Sequence, residues 1–275
     1  MSRHEASLAA ELIDARTLRF DSAGDGVVTR DVPIETPIAF EYDGIGYAVM
    51  LATPSDLRDY GIGFTLSERL VTSIAEIESV EVAELPRGWI IRIALRGVPR
   101  DRLRERVRLR LTEGSCGLCG LETIEQVLRP LPLLPRGVRV DRTAIERALA
   151  TLDAQQPLGR ATGAAHAAAF CSAQGVLQVV REDVGRHNAM DKLIGAAAEK
   201  AFELSQGFIL ATARCSYELV EKAVTAGCPM LVTISAPTSL AVERAKESGL
   251  TLVSLARRDS MLVVNDPHGF FGSKS

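Results

Sequence analysis

The chain has 275 residues, 47% of them hydrophobic, and a formal net charge of -3. That is enough apolar material for one large core or two medium ones, and the charge balance argues against a general nucleic-acid binder. No apolar run approaches the roughly 18–20 residues that cross a bilayer, so no membrane partner is expected, and five cysteines in a chain of this size are too few for a disulfide scaffold, which leaves the cytoplasm as the expected compartment.

Residues 1–20 contain Glu5, Glu11 and Asp14 and lack an apolar signal core. They read as a loosely ordered leader or a short amphipathic helix. Residues 21–135 read as a smaller N-terminal α+β domain. Residues 38–42 and 47–51 are predicted strands flanking Asp43-Gly44, a hairpin dipeptide because glycine tolerates positive φ. Thr53-Pro-Ser-Asp56 resembles a helix start, with Thr53 as cap, Pro54 at the first helical position and Asp56 favouring the N-terminus. That helix is expected to run to about Leu70. Residues 78–85 and 89–95 form a second predicted strand pair across Pro86-Arg-Gly88. From Arg100 to Arg110 arginine occupies every second position, and a period of two predicts a strand with one charged face, although the segment could also begin as a helix. Such a face is either simply solvated or an anion-attracting surface leading into the segment that follows.

Pro130, Pro132 and Pro135 mark the domain boundary. Beyond it, residues 136–270 alternate: helix at 142–153, strands at 166–171 and 176–181 turning near Gln174-Gly175, and a long helix carrying Met190, Leu193, Ile194, Ala197 and Ala201. Strand 208–213, helix 217–226, strand 230–234, helix 240–248 and strand 250–255 complete it. This alternation implies a layered α/β domain with a largely parallel sheet.

Gly114-Ser-Cys-Gly-Leu-Cys-Gly120 places two thiols three residues apart in a glycine-rich stretch that leaves them unshielded. Cys171 and Cys228, by contrast, are embedded in apolar sequence and read as core residues. Thiolate is the reactive form, and a thiol of ordinary pKa, about 8.5, is only ~3% thiolate at neutral pH. Arg108 and Arg110 closely precede the pair and would raise that fraction. The spacing alone leaves a zinc half-site, a redox dithiol, an incidental pair and sulfur transfer open.

Three later junctions between a strand and a helix are rich in polar groups. Arg181-Glu-Asp-Val-Gly-Arg-His-Asn188 contains Arg186 and His187, Arg214-Cys-Ser-Tyr217 follows the next strand, and Ser235-Ala-Pro-Thr-Ser239 the one after. Thr162-Gly-Ala-Ala-His166 precedes a strand and adds Gly163 and His166. Polar groups at strand ends beside helix N-termini form ligand sites in α/β sheets, and arginine suits phosphate because its fork binds bidentately. The alternative reading is a hydrogen-bonded cap and ion-pair cluster. No Walker-type loop is present, so ATP hydrolysis is not indicated.

Taken together these motifs resemble the formate dehydrogenase accessory sulfurtransferase (FdhD) family. The resemblance runs from about Glu35 to Val264. It includes Ala52-Thr-Pro-Ser-Asp-Leu57, Gly63-Phe-Thr-Leu-Ser-Glu68, Ser115-Cys-Gly-Leu-Cys-Gly120, Thr162-Gly-Ala-Ala-His-Ala167, Arg181-Glu-Asp-Val-Gly-Arg-His-Asn-Ala-Met-Asp-Lys192, Arg214-Cys-Ser-Tyr-Glu-Leu-Val220 and Ser235-Ala-Pro-Thr-Ser-Leu-Ala241. The resemblance implies a sulfur carrier that accepts persulfide sulfur from a cysteine desulfurase. It would pass that sulfur to the molybdenum (or tungsten) bis(molybdopterin guanine dinucleotide) cofactor received by formate dehydrogenase. It also implies a second domain resembling the cytidine deaminase fold and a homodimer.

By position, Cys116 matches the persulfide-bearing cysteine and Cys119 its partner. The expected cofactor contacts are Gly163, His166, Arg186, His187, Arg214, Ser235 and the segment Met261, Leu262, Val263, Val264, Asn265 and Asp266. Two departures stand out. The family's Phe-Asn-Val-Tyr-like ending is replaced by Met261-Leu-Val-Val-Asn-Asp266, and Ala164 takes the second glycine of its Thr-Gly-Gly-like motif. The His-x-Glu and following Pro-Cys-x-x-Cys of zinc deaminases are missing around His166, so the deaminase comparison is one of fold alone. A non-catalytic cofactor chaperone and a thiol-disulfide oxidoreductase are the rival functional readings.

Overall fold

The computed structural model describes residues 9–18, 20, 26–113 and 129–272. An N-terminal hairpin joins β1 (Ala10–Thr17) to β2 (Gly26–Pro33), antiparallel from Ala10↔Pro33 to Thr17↔Gly26. The region expected to be a leader or helix therefore holds a strand. Its burial hardly alternates, because most of its residues face solvent on both sides, and this removes the periodicity that marks a half-buried strand.

The next unit is a four-stranded sheet in the order β4-β3-β6-β5, made of β3 (Thr36–Tyr42), β4 (Ile45–Ala52), β5 (Ile77–Leu85) and β6 (Gly88–Leu95). Asp43 (φ 49°) and Gly44 (φ 80°) make the β3–β4 turn, both in the left-handed region that a two-residue hairpin demands. Ile38, Phe40, Tyr42, Ile91 and Ile93 point inward and pack on α1 (Leu57–Ser67) through Tyr60, Ile62 and Phe64.

Two expectations fail in this unit. The helix begins at Leu57 rather than beside Thr53, because Thr53 is fully buried and its polar atoms are held by the second unit. The arginine-rich stretch is a helix, α2 (Arg100–Glu113), not a strand. Leu103 and Val107, four residues apart, anchor one side of it on the N-terminal core. Arg106 turns inward, donating from Nη1 to the Glu68 carbonyl at 2.5 Å and from Nη2 to that of Arg69 at 3.3 Å, where it caps the end of α1. Arginine is a good helix former, so its alternation says nothing about backbone period.

The second unit is a six-stranded sheet in the order β12-β11-β10-β9-β7-β8. Its strands are β7 (His166–Ser172), β8 (Leu177–Asp183), β9 (Gly207–Ala211), β10 (Met230–Thr233), β11 (Thr251–Ser254) and β12 (Leu262–Asn265). The sheet is mixed, not largely parallel: β9, β10 and β11 run parallel, while β7, β8 and β12 pair antiparallel. Hairpin return accounts for β8, and β12 follows β11 without an intervening helix.

One face packs on α5 (Arg186–Glu199), α6 (Tyr217–Thr225) and α7 (Ser239–Ser248), with Met190, Leu193, Ile209, Leu219 and Leu231 in that layer. The other packs on α3 (Arg142–Leu152) through Ile145, Phe208, Leu210 and Val232. Cover on both faces explains why β9 reads as five buried residues without alternation. The short helix α4 (Pro157–Thr162) leads into β7.

The two units meet where α1 crosses α5. A Cβ added at Gly63 would lie 1.7 Å from the Asp191 carbonyl oxygen, and one at Gly195 would lie 1.9 Å from that of Asp59. The helices thus touch backbone to backbone, an approach only glycine permits. On the opposite side of α1, Gly61 fits against Ile91 and Val80 of its own sheet. Gly63→Ala and Gly195→Ala are each expected to destabilise the protein by about 3 kcal/mol or more, while Gly26→Ala, with nothing within 4 Å of the added Cβ, is expected to leave the denaturation midpoint unchanged. Urea unfolding of the three variants measures this.

Candidate functional site

Cys116 and Cys119 lie outside the described residues. The other three cysteines, Cys171, Cys215 and Cys228, are all fully buried. Burial pushes the thiols of Cys215 and Cys228 up to about 12, and that of Cys171 higher still. They are core residues held far from thiolate chemistry.

The polar run from Arg181 to Lys192 divides between two jobs. Asp183, Asn188 and Lys192 face the N-terminal unit. Lys192 Nζ lies 2.6 Å from Asp183 Oδ2, with neither side chain exposed, and donates to the Thr53 carbonyl at 2.8 Å. The Thr53 amide donates to Asp183 Oδ2, and the Val184 amide to Thr53 Oγ1, both at 3.1 Å. Asn188 Nδ2 donates to Asp183 Oδ1 and to the Leu51 carbonyl at 2.9 Å, and its Oδ1 accepts from Tyr60 Oη at 2.8 Å. Arg181 reaches Asp59 at 2.6 Å and Asp56 at 3.4 Å. The buried charges are each multiply hydrogen-bonded, as burial requires.

Arg186 and His187 instead open onto the end of the sheet. Because β7 runs antiparallel to β9, its first residue, His166, sits where β9 finishes. There Thr212 exchanges hydrogen bonds with Ala167, from its amide at 2.9 Å and to its Oγ1 at 2.8 Å. Asp183, the last residue of β8, pairs with His166, so α5 begins beside it. The helix α6 starts at the same end after Ser216, and neither Gly185 nor Ser216 supplies a side-chain cap to its helix. His187 Nε2 bridges the two helix starts, 2.7 Å from Glu218 Oε2 and 3.3 Å from Ser216 Oγ.

The electrostatics of this cradle follow from its contacts. The hydrogen bond from His187 is the main cause holding the Glu218 carboxyl below its ordinary value, helped by the charges of Arg186 and Lys222. Burial, then the nearby Arg186 charge, holds the His166 imidazole below its ordinary value, so this ring stays neutral at pH 7. Arg186 Nε is buried with no hydrogen-bond partner among the described residues. Two helix N-termini, an unsatisfied guanidinium nitrogen and a neutral imidazole make an anion-receptive corner.

The remaining expected contacts spread along the same sheet end. Arg214 is exposed in the β9–α6 loop, whose Cys215 amide and carbonyl pair with Ala236 and Thr238 of the β10–α7 loop. Ser235 starts that second loop, its carbonyl accepting from Leu255 and from Thr233 Oγ1. Gly163 (φ 69°) ends α4 three residues before His166. Leu262 pairs with Ser254 at the finish of β11, which brings Met261 and Leu262 to this end. Val263 and Val264 continue β12, with Val264 packed on the core. Asn265 and Asp266 are committed elsewhere: Asn265 Nδ2 donates to the carbonyls of Ala245 and Leu250, and Asp266 accepts from the amides of Phe270 and Phe271. Glu218 and Ser216 were missed as site residues, although a hydroxyl and a carboxylate two apart at a helix start are legible in Ser216-Tyr-Glu218.

This fold and corner define a two-unit α/β protein with an anion-receptive end to its larger sheet. The chain belongs to the FdhD/NarQ family, whose model matches residues 33–270. A relative from Variovorax paradoxus (strain S110), named sulfur carrier protein FdhD, is 44% identical over 260 residues, covering 94% of this chain and 92% of its own. One of the same name from Xanthomonas campestris pv. campestris (strain B100) is 44% identical over 253 residues, covering 92% and 90%. A crystal structure from Desulfotalea psychrophila, provisionally described as a formate dehydrogenase accessory protein, superimposes with a TM-score of 0.73 at 24% identity, over 94% of this chain and 98% of that one. It shares the fold.

Two tests follow from the site. Lys192→Met leaves Asp183 buried without its cation and is expected to cost about 3–5 kcal/mol in chemical unfolding. Glu218, depressed below its ordinary 4.5, contributes stability that is fully present above that value and lost as pH falls through the folded value. In His187→Gln its carboxyl is expected to titrate at higher pH than in the wild type, read from the Glu218 side-chain carbon by NMR; an unmoved titration would remove His187 as the cause.

Proposed function

We propose that this chain is a cytoplasmic sulfur carrier that takes persulfide sulfur from a cysteine desulfurase. It delivers that sulfur to the molybdenum (or tungsten) bis(molybdopterin guanine dinucleotide) cofactor destined for formate dehydrogenase. The observation that carries this reading is family membership, with relatives named as sulfur carriers at 44% identity over nearly the whole chain. The cysteine inventory supports it. With Cys171, Cys215 and Cys228 sealed in the core, Cys116 and Cys119 are the thiols left for the chemistry.

In this reading the Cys116 thiolate attacks the terminal sulfur of the donor's persulfide. The donor's S–S bond breaks, the donor leaves as thiolate, and Cys116 becomes the persulfide. The Cys119 thiolate then attacks the inner sulfur. A Cys116–Cys119 disulfide forms, and the outer sulfur leaves as sulfide toward the metal; a dithiol reductant restores the pair. Arg186, His187, Arg214 and the two helix N-termini hold the phosphates of the guanine dinucleotides. The row from His166 on β7 to Leu262 on β12 crosses four strand spacings, about 19 Å, which suits an extended polyanion. A homodimer belongs to the same reading, and the exposed Leu12, Val27, Val49 and Leu51 are apolar groups that a second copy would cover.

Incubated with a desulfurase and cysteine, the wild type is expected to gain one sulfur atom by mass spectrometry and Cys116→Ala none that can be transferred. Normal loading of Cys116→Ala overturns the mechanism. If the Cys116→Ala, Cys119→Ala double variant still activates formate dehydrogenase in cells, a cofactor-binding chaperone replaces the carrier.

A further inference from the structure

The cradle contains an acid where an anion is expected to bind. Glu218 sits in the first turn of α6 beside Ser216, and a carboxylate there would repel phosphate if nothing answered its charge. Its Oε2 lies 2.7 Å from His187 Nε2 and 3.5 Å from Ser216 Oγ. His187 is the second residue of α5, so this contact ties the starts of two helices that come from different sheet junctions. The bond to a carboxylate requires the proton to be on Nε2, which leaves Nδ1 as the ring's other polar atom, with no partner among the described residues. A carboxylate on one ring nitrogen fixes the orientation of a histidine and favours a ring with a proton on each nitrogen, whose opposite N–H can donate to an anionic ligand.

We propose that Glu218 is a positioning residue of the cradle: it accepts the Nε2–H of His187 so that, with a proton on each ring nitrogen, the opposite Nδ1–H donates to a phosphate oxygen of a guanine nucleotide lying across the starts of α5 and α6. The proposal rests on the reading that this cradle binds the phosphates of a guanine dinucleotide. Charged and polar groups from three elements face the pair. Arg186 stands beside His187 on α5, Lys222 lies one turn on from Glu218 along α6, and His166 faces them from β7. Lys222 is itself paired with Asp191 at 2.6 Å, so the hydrogen bond from His187 and the charge of Arg186 do most to offset the carboxylate. Ser216 Oγ lies 3.5 Å from the same carboxylate and makes no cap bond to its own helix.

The test measures binding of guanosine diphosphate and of guanosine to the full chain by calorimetry. Glu218→Ala is expected to weaken guanosine diphosphate binding about tenfold, or 1.4 kcal/mol, and to leave guanosine unchanged. Glu218→Gln keeps an oxygen acceptor for Nε2 and is expected to retain most of the affinity. In a His187→Ala background, Glu218→Ala is expected to add nothing, because a residue that acts through another has no effect once that other is gone. Equal or tighter binding of guanosine diphosphate by Glu218→Ala overturns the proposal. So does a loss additive to that of His187→Ala, or one shared equally by guanosine. If the wild type does not bind guanosine diphosphate, or Arg186→Ala binds it as the wild type does, the phosphate reading of the cradle fails and the proposal fails with it. Binding lost in Arg186→Ala but untouched in Glu218→Ala rejects the positioning role alone.

Discussion

A lysine and an aspartate with no solvent exposure hold the two units of this protein in register. Lys192 comes from α5 and Asp183 from the end of β8, and both close on the backbone of Thr53, the residue after β4. A buried pair of this kind adds little net stability over an apolar replacement, but it penalises any arrangement in which its partners separate. That penalty is what the cradle depends on. Arg186 and His187 follow Asp183 by three and four residues, so a shift of β8 against Thr53 would move both. The glycine contact between α1 and α5 complements the pair: one permits close approach, the other selects which close approach is made.

The longer helices and most strands of the second unit were legible because their apolar residues keep the spacing of their elements, and Gln174-Gly175 marks the turn between β7 and β8; in the first unit Asp43-Gly44 does the same for β3 and β4. What was hidden shares a physical cause. The strand β1 has no buried face, so no periodicity marks it. In α2, arginine masked the anchors: among the described side chains, Leu103 and Val107 carry the helical repeat. Thr53-Pro-Ser-Asp56 has the residues of a cap, yet its threonine answers to groups about 130 residues away. Long-range partners of this sort leave no local trace.

The same limit applies to the site. The three polar junctions were visible as clusters, and their gathering at one sheet end follows from strand direction. Which residues serve the fold and which face outward was not visible. In the eight residues from Arg181 to Asn188, Asp183 and Asn188 turn inward while Arg186 and His187 turn outward, and all are polar. Likewise Asn265 and Asp266 bind backbone in their own chain, while Met261 and Leu262 reach the sheet end from the same strand.

The flat glycine face of α1 also bears on the order in which the protein is made. The N-terminal sheet and α1 emerge from the ribosome well before Asp191 and Gly195, which close that face. Until the second unit arrives, the nascent N-terminal unit shows an uncovered strip of helix backbone and the unmatched amide and hydroxyl of Thr53. Its folding is therefore completed from downstream, by a helix that belongs to another sheet.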